Sequence, residues 1–419
     1  MISRKFTSII LLVFQSHGEA SEISLREAIK QALISSPEIR GIKSQVESLE
    51  AKANQALAPT EPTIGVQYND MDHAFNIGNP GATVYQVTQP IGFPGKAFVN
   101  KGALDEQAKS VFFQLKSKEL EVSNNTKSAY YQIALTEKFK VLNEEQRNSF
   151  EKILAIARRR YEAGSITQVD FLNAQIGLYS TGNELSDIES SYRQAQDQLN
   201  VILGNEPGES LTVRQLHVEI KTLLTNKEAE RLMRENRFEI KSAIHQANAS
   251  EKSYKAAKLS LLPDFQVTLG ETQYNYQTAS PVNPLTTTYL AGISMTIPIW
   301  SLFNERESIS SASHDRAAAN ANVDSVSRLS RIALSSAMEN LNSLKIKIEN
   351  YEKHLLPLVE QSFNIALISY SSGKIDFQSL SDTASTRRSI KKDYYSLLVN
   401  YALSYSVLGQ LLGEDLICE

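Results

Sequence analysis

The side chains best suited to metal binding or covalent chemistry in this 419-residue sequence are six histidines, five methionines and one cysteine. Their spacing supports none of it. His17, His73, His217, His245, His314 and His354 are dispersed, with no HExxH pair and no acidic cluster at metal-ligand spacing. The methionines are equally scattered, so no thioether copper site is written here. Cys418 has no second cysteine to pair with, which excludes an intrachain disulfide and argues against a cysteine-based metal site. A glycine-rich phosphate loop and a G-x-S-x-G elbow are both missing. The sequence therefore predicts no enzyme and no cofactor, and leaves function to shape and electrostatic field. Forty-three basic against 47 acidic residues give a net charge of -4, so bulk charge does not attract nucleic acid.

The elements that carry this shape repeat. Ser24 with Glu27, and Thr225 with Glu228, are capping boxes 201 residues apart, each opening a helix. At the same offset Glu38-Ile39 matches Glu239-Ile240, and Pro62 matches Pro263. The offset is 208 where Thr88, Pro90 and Ile91 meet Thr296, Pro298 and Ile299. It is 209 where Tyr161 and Gly164 meet Tyr370 and Gly373, and Leu203-Gly204 meets Leu412-Gly413. An ordered series of this kind marks one unit written twice.

Nine of the 12 prolines fall in 59–94 or 263–298, where the pattern turns from helical to alternating. Tyr289, Ala291, Ile293, Met295, Ile297 and Ile299 point one way, while Thr288, Gly292, Ser294 and Thr296 point the other. In the first copy Tyr85, Val87 and Ile91 take the oily side, and 62–75 and 263–277 are the partner strands. Tyr68, Tyr274, Tyr276 and Tyr289 accompany these strands. That pattern fits a lipid-facing barrel with an aromatic girdle, and it also fits a soluble sheet packed on one face.

Elsewhere the chain reads as helix. Residues 96–163 contain one glycine, Gly102, and no proline, enough for a helix of roughly 100 Å at about 1.5 Å per residue. Leu104, Ala108, Val111, Leu115, Val122, Ala129 and Ile133 form a narrow coiled-coil seam. Val323, Ala337, Leu341, Leu344 and Ile348 continue it in the second copy, where Pro357 is expected to bend the helix. Gly164 and Gly373 sit as C-terminal caps, each followed by a return helix over 167–203 or 376–412. Helix 38–58 could stack end to end on a return helix. Narrow seams with wet flanks suit the wall of a hollow tube. At the amino terminus, Arg4 and Lys5, an apolar run over 9–14 and Gly18-Glu19-Ala20 read as a signal peptide cleaved after Ala20, although a frayed apolar tail fits the same residues. No run approaches the 18 or more apolar residues of a membrane-spanning helix.

Arg160-Tyr161-Glu162-Ala163-Gly164 with Asp170-Phe171-Leu172-Asn173-Ala174, and Leu356-Pro357 with Tyr370, Gly373, Asp376-Phe377, Leu380 and Leu412-Gly413, resemble the TolC-like outer membrane efflux protein family. With the duplication, the likeness covers about residues 22–413. It implies a mainly α fold with a small β part: long helical hairpins in a trimeric α-barrel, and four strands per chain forming one third of a 12-stranded outer membrane β-barrel. The implied divisions are a signal peptide (1–20), N-terminal helices (21–61), a first β-hairpin (62–92) and a first long α-hairpin (93–205). A linker with helices (206–262), a second β-hairpin (263–299), a second long α-hairpin (300–413) and a tail (414–419) follow. The implied role is the exit duct of a tripartite efflux pump or type I secretion system. Its partners would be two further copies of the chain, outer membrane lipid, a periplasmic adaptor (membrane fusion protein) and an inner-membrane RND or ABC-type pump.

The resemblance places acidic residues at the periplasmic entrance. Asp382 falls on such a position, Ser379 stands where the family often has another Asp, and Asp170 matches the equivalent position of the first hairpin. Threefold symmetry would turn each Asp into a ring of three carboxylates. Gly164, Ser165, Ile166, Gly373, Lys374 and Ile375 are the hairpin tips at which the family docks its adaptor. Arg160, in Arg158-Arg159-Arg160, could meet the adaptor, tie neighbouring helices or simply be solvated. Asp376 reads as a helix N-cap. Trp300, Phe303, Pro94 and Pro298 mark the barrel-to-helix junction, and Gly92-Phe93-Pro94-Gly95-Lys96 resembles the metal-efflux and related branches. The competing classes are a periplasmic adaptor, which carries one hairpin framed by soluble β-domains, and a coiled-coil scaffold.

Overall fold

The computed structural model describes residues 21–69, 71, 80–274, 287–296 and 301–418, the side chains of 21 and 301–304 excepted. The expected signal segment lies outside them. In chain order the elements are β1 (Ser21–Ile23), α1 (Leu25–Ser35), α2 (Pro37–Gln55), β2 (Thr63–Asn69), β3 (Ala82–Ile91), α3 (Lys96–Glu162) and α4 (Gln168–Leu203). The second half supplies β4 (Leu211–Val213), α5 (Asn226–Asn236), α6 (Phe238–Leu259), β5 (Asp264–Tyr274) and β6 (Thr287–Thr296). It ends with α7 (Ser301–Asn350), a π-helical turn (Tyr351–Leu355), α8 (Leu356–Ser371) and α9 (Phe377–Leu412).

The breaker-free stretch folds as expected into one helix of 67 residues. Its counterpart is interrupted, and the sequence names the cause. Pro357 has no N–H to give, and its ring presses on the carbonyl four residues back, so the preceding turn widens to π geometry. Nothing comparable happens at Asn148, inside α3. Ser24 makes the full capping box with Glu27. Thr225 accepts from the Glu228 amide without the reciprocal carboxylate bond, so the second box is half-formed.

Helices α2 and α4 both lie along α3. Val46 and Leu49 of α2 pack on Ala108 and Val111, and further down Asn143 donates to the Thr181 carbonyl of α4 (3.0 Å). The other flank of α3 is covered by α6 above, where Ser110 bonds Ser242, and by α9 below, where Asn124 donates to Gln410. Helix α7 lies along α6 through Arg316–Glu251 and along α9 through Asn340–Ser404. The chain is thus a layer of four columns: α2 over α4, then α3, then α6 over α9, then α7 running into α8. The largest core sits at mid-height, where α1 and α5 pack on the columns around Leu25, Ile133, Leu199, Leu341 and Tyr401. There the duplication is visible in space. Left-handed Gly204 (φ 77°) abuts Ser35 at the end of α1, and left-handed Gly413 (φ 75°) abuts Asn236 at the end of α5. A Cβ at Gly413 would lie 2.5 Å from the Asn236 carbonyl oxygen.

The tail returns to this core. Asp415 accepts from Lys127 Nζ at 2.5 Å and from Ser123, and the Leu416 carbonyl accepts from Lys127 at 2.8 Å. The Lys127 side chain is fully buried.

Higher up, Glu106 of α3 joins α6. Its carboxylate meets His245 Nδ1 (2.7 Å) and accepts from Lys252 and Lys109 (3.2 Å each). Burial raises the Glu106 pKa, but the bonds from His245, Lys109 and Lys252 outweigh it and hold the group at about 2 against an ordinary 4.5. A depressed carboxylate contributes stability that is complete above its unfolded pKa and lost as pH falls towards its folded one. Stability is therefore expected to drop between about pH 4.5 and 2 by an amount of order 3 kcal/mol. In acid titrations of the unfolding free energy, the gap between wild type and Glu106→Gln should close across that window. A constant gap would show that the cluster does not titrate with folding.

The four longer strands form one antiparallel sheet in the order β2-β3-β5-β6. Val66 sits opposite Tyr85, Val87 opposite Leu269, Leu269 opposite Ala291, and Val267 opposite Ile293. The alternation predicted from sequence thus becomes one apolar face running across all four strands. Among the described residues nothing covers that face: Ile64 and Ile293 are 79% and 80% exposed. The opposite face carries Gln67, Gln86, Thr88, Thr268 and Ser294, with the Thr88 and Thr268 hydroxyls 3.1 Å apart.

Candidate functional site

The far end of the columns brings the two hairpin tips together. Each tip is built the same way. Gly164 (φ 68°) follows α3, with Gly164 N–H donating to the Tyr161 carbonyl and Ser165 N–H to that of Arg160. Gly373 (φ 77°) follows α8, with the Gly373 and Lys374 amides donating to Tyr370 and Ser369. These are Schellman closures, in which a left-handed glycine lets the last carbonyls of the helix be satisfied. The return helices then start on side-chain caps: Thr167 with Asp170, and Asp376 accepting from the Ser379 amide at 2.8 Å.

Arg160 joins the tips. Its guanidinium donates to the Tyr370 carbonyl (2.8 Å) and to Ser165 O (3.5 Å), and lies 5.0 Å from the centre of the buried Tyr370 ring. Of the three roles open to Arg160 in the sequence, the structure displays the tie between helices. Beneath it Ile153, Ala157 and Ala174 of the first hairpin share a core with Tyr370, Leu380 and Ala384 of the second. The tip residues Gly164, Ser165, Gly373 and Lys374 are exposed, and Ile166 and Ile375 are half-buried.

Asp382 and Ser379 are exposed on the face of α9 opposite buried Phe377, Leu380 and Ala384. Asp382 accepts only a local bond from Gln378 (2.9 Å) among the described contacts, so its carboxylate stays directed to solvent. Asp170 is differently placed. Its carboxylate accepts from the Thr167 amide (3.2 Å) and hydroxyl (2.9 Å), a capping box that the sequence reading had not assigned.

Above the tips α9 carries a basic belt that sequence reading missed. Arg387 donates to Glu360 of α8 (2.9 Å), Lys391 bonds Glu360 (2.7 Å) and Glu145 of α3 (2.8 Å), and Arg388 pairs with Glu184 of α4. One helix is thereby tied to three others. Burial raises the Glu360 pKa, but Lys391 and Arg387 bring it below the ordinary carboxylate range. Burial lowers the Lys391 ammonium, and its bonds to Glu145 and Glu360 more than reverse that. The adjacent Arg387-Arg388 and Lys391-Lys392 pairs were legible in the sequence, but Glu184, which pairs with Arg388, and Glu145, which Lys391 bonds, lie 204 and 246 positions away along the chain.

At the other end, Pro94 and Gly95 make the turn between β3 and α3. Asp264, heading β5, accepts from the Phe93 amide (2.7 Å) and Lys96 Nζ (2.8 Å), clamping the Gly92–Lys96 turn to the second strand block. Trp300 and Pro298 lie outside the described residues, as does the side chain of Phe303.

Among the described residues no three His, Cys, Asp or Glu side chains converge as a metal site, and no helix is long and apolar enough to cross a membrane. What the described residues offer is a layer of helices with a polar end bearing an exposed carboxylate, and a sheet with one bare apolar face.

Residues 28–205 and 231–414, one stretch in each half, match the family model described as outer membrane efflux protein. Among solved structures the chain is similar to the outer membrane protein VceC of Vibrio cholerae, at 16% identity and TM-score 0.78, over 93% of this chain and 96% of that one. It is similar to the CmeC outer membrane channel of Campylobacter jejuni, at 14% identity and TM-score 0.75, over 100% and 94%. It is also similar to the open state of the Neisseria gonorrhoeae MtrE outer membrane channel, at 16% identity and TM-score 0.70, over 100% and 99%. At such identities the likeness is one of fold. No curated protein sequence matches the chain.

Proposed function

Since the chain belongs to the outer membrane efflux protein family, we propose that three copies close into a channel, with their sheets forming a β-barrel in the outer membrane and their helices a periplasmic duct. The apolar sheet face carries this reading. A four-stranded sheet cannot close by itself, and its free edges could not be tolerated in lipid. Three copies would give 12 strands. A soluble adaptor or a coiled-coil scaffold would have no use for a bare apolar face spanning four strands beside two equivalent helical hairpins.

The duct would pass substrates received from a periplasmic adaptor and an inner-membrane pump, which would supply the energy. Gly164, Ser165, Ile166, Gly373, Lys374 and Ile375 form the adaptor-facing tips in this reading. Asp382 would ring the entrance as three carboxylates beside Ser379, while Asp170 adds charge from within its helix cap. Opening would be an iris-like movement of the tips against the basic belt of α9.

Recovery as an outer-membrane trimer that conducts ions in planar bilayers is the expected result. Recovery only in the soluble fraction would defeat the reading. In the same bilayers Asp382→Ala should desensitise the channel to block by multivalent cations, because a carboxylate ring at a constriction concentrates them. An unchanged block would remove Asp382 from the constriction.

A further inference from the structure

We propose that the outward side of the helical layer, directly beneath the sheet, is a docking surface for anionic phospholipid headgroups of the membrane leaflet that faces the helices. The inference rests on the reading of the sheet as part of a membrane barrel, and it carries the lipid contact down to the top turns of α3 and α6.

Curvature tells the two sides of the layer apart. A hollow of about 820 Å³ is lined by Ala56 of α2, Asn100 and Gln107 of α3, Gln246 and Ser253 of α6, and Asp315 of α7. Four columns can reach one hollow only if the layer bends round it, so this side is concave. In a closed ring the concave side faces the lumen and the other side faces out. Phe98 lies about 180° around α3 from Gln107, and Lys101 and Asp105 follow it on one stripe, three and seven residues on. Lys255 lies about 180° around α6 from Gln246, and Glu251, Lys255 and Lys258 form the same kind of stripe. Both stripes belong to the outer side. No lysine or arginine lines the hollow.

The outer side is stratified by height. Asp264 accepts from the Phe93 amide and from Lys96, and Lys96 also donates to the Leu262 carbonyl, so the turns above α3 and α6 are fixed level with each other. Phe98, 71% exposed, is two residues into α3, about 3 Å below the turn. Leu57 and Leu261, just past the ends of α2 and α6, are exposed at the same level. Lys258, Lys255 and Lys101 come next, about 2, 6 and 8 Å down their helices. Below them stand the acids Glu251 and Asp105, at about 12 and 14 Å.

Helix α3 runs away from the sheet and α6 runs towards it, yet in both the cation sits on the sheet side of its acid: Lys101 with Asp105 (2.7 Å) and Lys255 with Glu251 (3.4 Å). Lys258 makes no ion pair among the described contacts, and its ammonium lies 4.3 Å from the centre of the Tyr254 ring. The column α7 carries both signs at this height, in Glu305, Arg306 and Glu307, and takes no part. Apolar side chains uppermost, cations beneath and acids lowest is the order that a leaflet presents in complement: acyl chains, phosphates, then water. Lysines on long stems can reach up to phosphate while their acids stay below it. The surface also continues the bare apolar face of the sheet, so one lipid leaflet would cover both.

The test uses the full-length protein reconstituted in phosphatidylcholine vesicles with or without phosphatidylglycerol, carrying bimane on a single introduced cysteine. The native Cys418 is buried, which keeps background labelling low. Bimane on Phe98→Cys is expected to be quenched by brominated lipid and spared by aqueous iodide. On Phe112→Cys, about 21 Å further down the same side of α3, the pattern should reverse. At equal mole fraction, brominated phosphatidylglycerol should quench the probe at 98 about fivefold more effectively than brominated phosphatidylcholine, and Lys101→Gln/Lys255→Gln/Lys258→Gln should bring that ratio to about one. Lys258→Gln alone breaks no ion pair and should lower the ratio part-way, which serves if the triple variant does not insert. Equal quenching by the two lipids, or a ratio that neither variant changes, would overturn the docking surface. A probe on Ile293→Cys separates the two levels: lipid quenching at 293 with iodide quenching at 98 overturns the docking surface alone, whereas no lipid quenching at 293 overturns the barrel reading too.

Discussion

Asp415→Ala is expected to destabilise the folded chain by about 3–5 kcal/mol, because it leaves the ammonium of Lys127 inside the mid-height core without its counter-charge. The Lys127 side chain is fully buried, and the other acceptor within reach is the Leu416 carbonyl, a dipole that does not neutralise a charge. Asp415 itself keeps some contact with solvent, so removing the carboxylate costs little for its own sake. The loss is the isolated cation. Apolar replacement of both partners, Lys127→Met with Asp415→Leu, should recover much of the stability, since a buried pair exchanged as a whole is often near neutral. Thermal unfolding followed by helical circular dichroism checks both variants. Equal losses in the single and double variants would show that the tail matters for packing and not for charge. The tail also fills space that glycine leaves open: a Cβ at Gly409 would come within 2.7 Å of the Glu414 carbonyl oxygen.

Ile293→Arg is the second large effect expected. Ile293 stands on the bare face of the sheet, opposite Val267 and 80% exposed. If this face meets hydrocarbon, an arginine near its middle costs about 2–4 kcal/mol per copy, and a closed trimer would suffer it three times. Ser294→Arg, one residue on, faces the other side, where Thr268, Gln86 and Thr88 already provide a polar lining. It should be tolerated. Outer-membrane yield and heat stability of the assembled species measure the contrast. If Ser294→Arg proved the more harmful, lipid would have to lie on the other face. Tyr85 and Tyr289 flank Glu271 in one row near the hairpin end of that face.

Much of this molecule was legible because its signals are local. A helix of 67 residues needs only the absence of breakers and a steady seam. The tips needed only a glycine at the helix end, and Gly164 and Gly373 adopt that role, as Asp376 does that of N-cap to the second return helix. The sheet followed from period-two alternation, which fixes its two faces whatever the strands pair with. Pro357 announced a disturbance, but whether it would yield a kink or a widened turn depends on how the neighbouring helices hold the chain. The charged contacts were illegible for a different reason. Arg388 and Glu184 lie 204 positions apart, and Lys127 and Asp415 lie 288 apart. A charge on a long helix looks the same in sequence whether it faces water or an acid on another column. Thr167 and Asp170 were a local signal that was open to reading: a hydroxyl three residues before an acid at a helix start.

By itself, then, the sequence determined the repeated unit, its helices and strands, the tip geometry and the faces of the sheet, all consequences of backbone sterics and side-chain periodicity over a few residues. Tertiary structure alone decided the order of the columns, the tie that Arg160 makes between the tips and the burial of Lys127. Those depend on which surfaces meet across about 200 residues of chain, and the free energy that selects them comes from contacts between segments that carry no mark of one another.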